Sequence, residues 1–332
     1  MTMQKIIKTK ILNQDIKSIK KAIKLLKQSE LVSFPTETVY GLGASAFSNK
    51  GIAKLFAVKG RPKYNPLIIH VSNPEDAYNW AKVPKAAEVL IENFWPGPLT
   101  LVLEKNENSR ALASLATGQL KTIAIRVPMH SVARSLIKEF GAPIAAPSAN
   151  ISGKISPTRA KDVLFHMDGK ISALIKGDNC SVGLESTIIS FSKSGPVLLR
   201  PGGTPIEIIE KKLGKKLLRP DLTLAKKSKI QAPGMLDSHY APNSNLKLNV
   251  ENPTTNELFL GFGDMPKNAL GLNLSQGRNL EEAAMNFFAT LTDIDAMAKL
   301  MEIKTISVAP IPNYSFGIAI NDRLKRAAVS KS

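Results

Sequence analysis

The chain has 332 residues, 43% of them apolar, and a formal net charge of +18. That length suits two domains of ordinary size, and the composition excludes disorder. Four His and a single Cys, Cys180, exclude a disulfide framework, an all-cysteine zinc site and an iron–sulfur cluster, and no apolar run reaches the roughly 18 residues of a membrane span.

Ile16, Ile19, Ile23 and Leu26 recur at helical spacing, with Lys17, Lys20, Lys21, Lys24 and Lys27 between them. This predicts an amphipathic helix with a basic outer face. The basic N-terminus is not followed by an apolar signal core and lacks the Arg and Ser of a transit peptide, so a cytoplasmic, reducing location is expected. Leu31–Phe34 reads as a strand ended by Pro35, Lys50–Val58 as a helix, and residues 67–71 as a strand. Ala86–Phe94 reads as helix and residues 99–104 as strand.

Residues 121–128 alternate. Ile123, Ile125 and Val127 face one way, and Thr122, Ala124 and Arg126 the other. Ser131–Phe140 is a predicted helix with Gly141 as its C-terminal cap. Strands follow in APIAAPSANISG, STIISF and PVLLRPGG. The irregular alternation of elements predicts a mixed α/β sheet.

Composition shifts after 210. Residues 211–230 carry eight basic residues against Asp221, and residues 1–30 carry eight Lys against Asp15 and Glu30. Thirteen of the eighteen excess charges therefore fall in those fifty residues. Such a surface favours polyanions, or is simply solvated. Residues 232–242, APGMLDSHYAP, read as a semi-rigid connector. From 243 the pattern restarts as a small α/β unit, with strands in LKLNV, ELFLGF and TISVAPI, a long helix over 279–300 and a last helix in DRLKRAA. The expected division is 11–213, a connector 214–242, and 243–332.

Several motifs are absent or incomplete. There is no Walker-type phosphate loop, no H-E-x-x-H and no G-x-S-x-G. GLGASA at 41–46 resembles half of a dinucleotide fingerprint, but Gly60, Arg61 and Lys63 stand where an acidic residue belongs, so it reads as a tight turn. No metal-ligating set emerges. What remains is a series of polar segments at strand ends: PTETVYGLG (35–43), KGRPKYNPLIIHV (59–71), IAIRVP, APSANISGKISPT (146–158), ESTI (185–188) and LRPGG (199–203). Converging at one sheet edge, they would make a pocket rich in hydroxyls (Thr36, Thr38, Ser148, Ser156, Ser186). Its fixed cations would be Lys59, Arg61, Arg126 and Arg200, and its carboxylates Glu37 and Glu185. That inventory suits a polyanionic ligand. Arg126, mid-strand, needs an anion partner: a substrate carboxylate, or a salt bridge to Glu37 or Glu185.

Together with FWPGPLTLVL (94–103), these segments resemble the YrdC family in order and spacing. The connector and the ending GIAINDRLKRAA resemble its long two-domain form, the L-threonylcarbamoyladenylate synthases. The resemblance implies a YrdC-like twisted mixed sheet with helices around a basic cavity, and a small C-terminal Rossmann-like α/β domain. It implies a nucleotidyltransferase that joins L-threonine, bicarbonate and ATP into threonylcarbamoyl-AMP, releasing pyrophosphate, for tRNA modification. Thr38, His70, Arg126, Ala146 and Ser186 would hold threonine. Arg61, Asn65, Thr122, Ser148, Ser156, Arg200 and Tyr240 would hold ATP, with Tyr240 closing the connector over the nucleotide as a lid. Lys59 and Arg61 would be catalytic, and Mg2+ would arrive bound through ATP. Downstream, a tRNA threonylcarbamoyl-transferase machinery is the expected partner. A rival expectation is a double-stranded RNA or tRNA binder without turnover.

Overall fold

The computed structural model describes residues 8–62, 65–219 and 240–329. The first helix starts as its sequence directs. Asp15 caps α1 (Ile16–Lys27) by accepting from the Ser18 amide at 2.8 Å, and the lysines between the apolar positions face solvent. Gly141, at φ 70°, closes α4 (Ser131–Phe140) in the left-handed conformation that an L side chain resists. Between them lie α2 (Asn49–Lys59) and α3 (Lys85–Phe94).

Among the described residues eleven strands join in one mixed sheet. They are β1 (Lys10–Leu12), β2 (Val32–Phe34), β3 (Gly41–Ser45), β4 (Ile68–His70), β5 (Ala81–Lys82), β6 (Leu99–Lys105), β7 (Thr122–Arg126), β8 (Ile144–Ala145), β9 (Ala173–Ile175), β10 (Thr187–Ser192) and β11 (Gly195–Arg200). Their spatial order is β1-β9-β2-β3-β8-β4-β7-β6-β10-β11, with β5 on β6. The alternation read in β7 is realised. Ile123 and Ile125 join a core with Leu42, Leu55, Ile69 and Leu101, while Ala124 joins Ile68, Val102 and Ile188 on the opposite face. α1 and α4 cover a third apolar group that includes Leu26, Phe34 and Leu136.

GLGAS is a strand, not the expected tight turn. It pairs antiparallel with β2, placing Val32 opposite Gly43 and Phe34 opposite Gly41. The glycines serve close approach: a Cβ on Gly43 would stand 2.7 Å from the Phe34 ring. Several elements escaped the sequence reading, among them β1, β5, β9 and α5 (Ala160–Met167). β9 is a three-residue strand that lies between β1 and β2 and pairs parallel with both. After β11, α6 (Ile206–Leu213) ends at Gly214.

A second sheet holds β12 (Asn245–Leu248), β13 (Glu257–Gly261), β14 (Gly271–Asn273) and β15 (Thr305–Val308). All its pairings are parallel, in the order β12-β15-β13-β14. With α7 (Leu280–Leu300) and α8 (Phe316–Ala327) it buries its own core around Phe287, Phe288, Leu291 and Ile306. β14 was not foreseen, since all three residues are half-buried and carry no alternation. The two sheets are joined by polar clasps and close packing. Arg159 reaches Asp162 at 2.8 Å and Asp293 of α7 at 2.8 Å, and the Gly183 loop lies directly on the α7 backbone. Of the expected connector, 220–239 lies outside the described residues. No described helix is long and apolar enough to cross a membrane.

Candidate active site

β4 and β7 are parallel neighbours in a register that sets His70 beside Arg126. Both side chains therefore stand on one sheet face, with Ile68 two residues before His70. Around them one cavity is lined by Thr36, Thr38, Val39 and Gly41 from the segment after β2, Lys59 and Arg61 after α2, and Ala146, Pro147, Ser148 and Ser152 after β8. Glu185, Ser186 and Arg200 close it. Nine of the thirteen expected residues thus meet on its wall: Thr38, Lys59, Arg61, His70, Arg126, Ala146, Ser148, Ser186 and Arg200.

Arg126 is 3% exposed and donates to Glu37 Oε1 at 2.7 Å, Thr38 Oγ1 at 2.9 Å and the Gly97 carbonyl at 3.1 Å. Glu37, also 3% exposed, takes the Met129 amide on its other oxygen. Of the two partners left open by the sequence, the protein supplies Glu37. The pair still leaves N–H capacity, because a guanidinium carries five donors and these bonds use three. Thr38 is held in turn by Thr36 Oγ1 at 2.9 Å.

Lys59, expected to be catalytic, has its ammonium engaged by the protein itself. Its ammonium donates to Ser148 O at 2.7 Å and Asn150 O at 2.5 Å, with Asn150 Oδ1 at 3.4 Å. Three donors meet three oxygens of one turn, so Lys59 fastens that turn. Burial, then the Arg61 charge, hold its pKa well below the ordinary ammonium value. Arg61 is fixed by its own loop, through Asn65 O at 3.1 Å, Asn65 Oδ1 at 2.7 Å and Pro66 O at 2.8 Å. Asn65 stands behind Arg61, off the cavity wall. Burial, then the Arg200 charge, depress Arg61. Arg200, itself depressed chiefly by burial, donates to Ser186 O and Oγ. Cations compressed in this way, meeting neutral oxygens in the case of Arg61, favour an incoming anion.

Three further expected residues lie off the wall. Ser156 is wholly buried behind Glu185 and donates to its Oε1 at 2.7 Å. Thr122 is at the other end of β7, opposite Glu104. Four residues of strand put it roughly 13 Å from Arg126, beyond Ala124 and the apolar patch that Ala124 shares with Ile68, Val102 and Ile188. Tyr240, the one described site residue of the connector, is fully buried against Phe288 and Arg323, with ring centroids 5.5 Å apart in the first case. Conversely, Ser152 was not foreseen. Its Oγ is buried on the cavity wall without a partner among the described residues, and its signal was a second serine four residues after Ser148.

His70 Nδ1 is likewise buried without a partner among the described residues. Burial, then the Arg126 charge, push the imidazole pKa down to about 3, so the ring is neutral at physiological pH. In the unfolded chain it would titrate near 6.5. Below that pH the unfolded state gains a proton that the folded state refuses, so stability is lost as pH falls from about 6.5 toward 3, by up to about 1.4 kcal/mol per pH unit for this group. Half-buried His166, depressed to about 4 chiefly by desolvation, adds to the same loss. Urea unfolding at pH 7, 6 and 5 should show a shallower decline for His70→Asn than for the parent chain. Parallel declines would contradict this assignment.

Comparison with known proteins follows the same lines. The Sua5/YciO/YrdC family profile, described as "Telomere recombination", matches residues 24–202. A second profile, "Threonylcarbamoyl-AMP synthase, C-terminal domain", matches 205–329. The chain is 39% identical over 326 residues to the threonylcarbamoyl-AMP synthase of Pyrococcus abyssi, covering 93% of this chain and 94% of that protein. It is 37% identical over 329 residues to that of Bacillus subtilis, covering 93% and 92%. The crystal structure of P. abyssi Sua5 complexed with L-threonine matches with a TM-score of 0.84 at 37% identity, covering 96% of this chain and 97% of that one. E. coli YciO, at 19% identity and a TM-score of 0.52, shares the fold.

Proposed function

The chain belongs to the Sua5/YciO/YrdC family, and from that premise we propose that it is a threonylcarbamoyl-AMP synthase acting for tRNA modification. The observation that carries this reading is the meeting of Arg61, Arg126 and Arg200 with a neutral His70 and several hydroxyls in one cavity. Residues 11–213 form the catalytic unit, 214–242 its connector and 243–332 a C-terminal unit.

Threonine docks at the Thr38–His70–Arg126–Ala146–Ser186 end. Its carboxylate takes the remaining N–H groups of Arg126, whose orientation Glu37 and Thr38 fix. ATP docks at the Arg61–Ser148–Arg200 end, with Asn65 and Ser156 supporting the wall from behind. Thr122 reaches the nucleotide only if the base lies along the Ile68–Val102–Ala124–Ile188 patch. The threonine amine reacts with bicarbonate to give a carbamate and water. A carbamate oxygen then attacks the α-phosphorus, the bond to the β-phosphate oxygen breaks, and pyrophosphate leaves with its electron pair. No side-chain nucleophile is required, so catalysis is positioning and charge stabilisation. Arg61 and Arg200 neutralise the departing charge, while Lys59 holds the Ser148–Asn150 turn in place. Among the described residues magnesium finds no protein cage: Glu185 is the carboxylate on the cavity wall and both its oxygens are engaged. Any such ion therefore enters with the phosphates.

The test is pyrophosphate release by the full-length protein, with mass detection of threonylcarbamoyl-AMP. Release should require threonine and bicarbonate together. Release independent of either would overturn the reading. The RNA-binding alternative draws on one observation, the exposed lysine face of α1, and predicts RNA retention with no ATP turnover.

A further inference from the structure

The sequence reads DRLKRAA simply as a last helix, yet Arg323 in it is completely buried. Its Nε donates to Glu185 Oε2 at 3.1 Å. Its Nη1 donates to the Pro201 carbonyl and, at 3.1 Å, to Asp322 Oδ2. The guanidinium carbon stands 5.6 Å above the centre of the Tyr240 ring. The two oxygens outside its own helix flank strands β10 and β11 of the first sheet, Glu185 on the cavity wall and Pro201 beside Arg200. Glu185 precedes Ser186 and also takes Ser156 on its other oxygen. Pro201 follows Arg200, whose guanidinium holds the Ser186 carbonyl at 2.8 Å. The two segments meet again behind the wall, where Gly203 donates to Glu185 O at 2.9 Å. A Cβ on Gly202 would stand 2.3 Å from that same oxygen, so the segments have no slack.

We propose that Arg323 is a positioning residue for the reaction: the C-terminal unit completes the catalytic cavity by clamping the 185–186 and 200–201 segments from behind, which fixes Arg200 for ATP and Ser186 for threonine. This rests on the synthase reading for the reaction and on geometry alone for the clamp. A short ammonium cannot span both Glu185 and the Pro201 carbonyl as a planar fork does. The charge also matters, because without it Glu185 loses the buried ion pair that offsets its own desolvation.

The experiment uses the full-length chain with Arg323→Met, Arg323→Lys, Glu185→Gln and the double variant Arg323→Met/Glu185→Gln. It measures kcat and KM for ATP and threonine, ATP affinity by direct titration, and thermal midpoints. The expected result for Arg323→Met is an ATP KM and dissociation constant raised at least tenfold in the folded protein. Arg323→Lys should recover part of the loss. The double variant should be no worse than Arg323→Met, since both act on one contact. A merely structural role would lower the midpoint and leave ATP affinity in the folded fraction within twofold of the parent, and that result overturns the proposal. Should Arg323→Met fail to fold, unchanged ATP affinity in both Arg323→Lys and Glu185→Gln overturns it equally. Because affinity is read apart from turnover, a parent chain that releases no pyrophosphate refutes the synthase reading while the clamp is still decided.

Discussion

Arg126→Ala is expected to lower threonine-dependent pyrophosphate release by at least tenfold in kcat/KM for threonine. Losing a hydrogen bond between charged groups costs about 1.5–3 kcal/mol, and each 1.36 kcal/mol is a factor of ten. The same substitution should destabilise the fold by about 3–5 kcal/mol, because Glu37, 3% exposed, is left as an uncompensated buried charge. The two effects can be separated. Arg126→Ala/Glu37→Gln removes the stranded charge and should recover much of the stability in urea unfolding without recovering threonine dependence. A folded Arg126→Ala enzyme with parental kcat/KM would show that the arginine serves Glu37 and not the substrate.

The second large effect is expected at Gly183. Its φ of +72° suits glycine, and a Cβ there would lie 2.4 Å from the carbonyl oxygens of Ala284 and Met285. These are backbone atoms of α7, which cannot rotate aside. Gly183→Ala must either shift the loop or separate the second sheet from the first, at about 3 kcal/mol or more. Because Arg323 travels with that sheet, the variant should lose ATP affinity as well as stability. Urea unfolding checks the first consequence, and a change under about 0.5 kcal/mol would contradict the close packing.

What the sequence disclosed follows a physical rule. α1, the alternation of β7 and the cap at Gly141 rest on local spacing and appeared in the structure. The mixed sheet followed from irregular alternation. GLGAS misled because glycine is a turn former by itself, and only the Phe34 ring, brought opposite by pairing, makes two glycines the residues a strand needs there. β9 was invisible because three residues carry no readable period. In the cavity, residue types were legible but their duties were not. Lys59 looks like a phosphate ligand until the Ser148–Asn150 carbonyls are seen around it. Thr122 lies on the same strand face as Arg126, yet strand rise carries it away from the cavity. Arg323 stands among charged residues in the last helix, and its partner Glu185 is 138 residues away. No window of sequence contains that contact.

The strand order carries a consequence for how such a chain acquires activity. Lys10 pairs with Ala173, and Val32 pairs with the same residue from the other side, so two early strands must wait for a segment translated some 140 to 160 residues later. Until it arrives their hydrogen-bonding edges are unpaired and adhesive, and closing loops of that length makes assembly slow. No short stretch of chain encodes the complete catalytic pocket, because its walls come from six stretches between Thr36 and Arg200. Competence therefore arrives late and as a unit, and a ribosome-bound chain shorter than about two hundred residues has nothing to bind a substrate with.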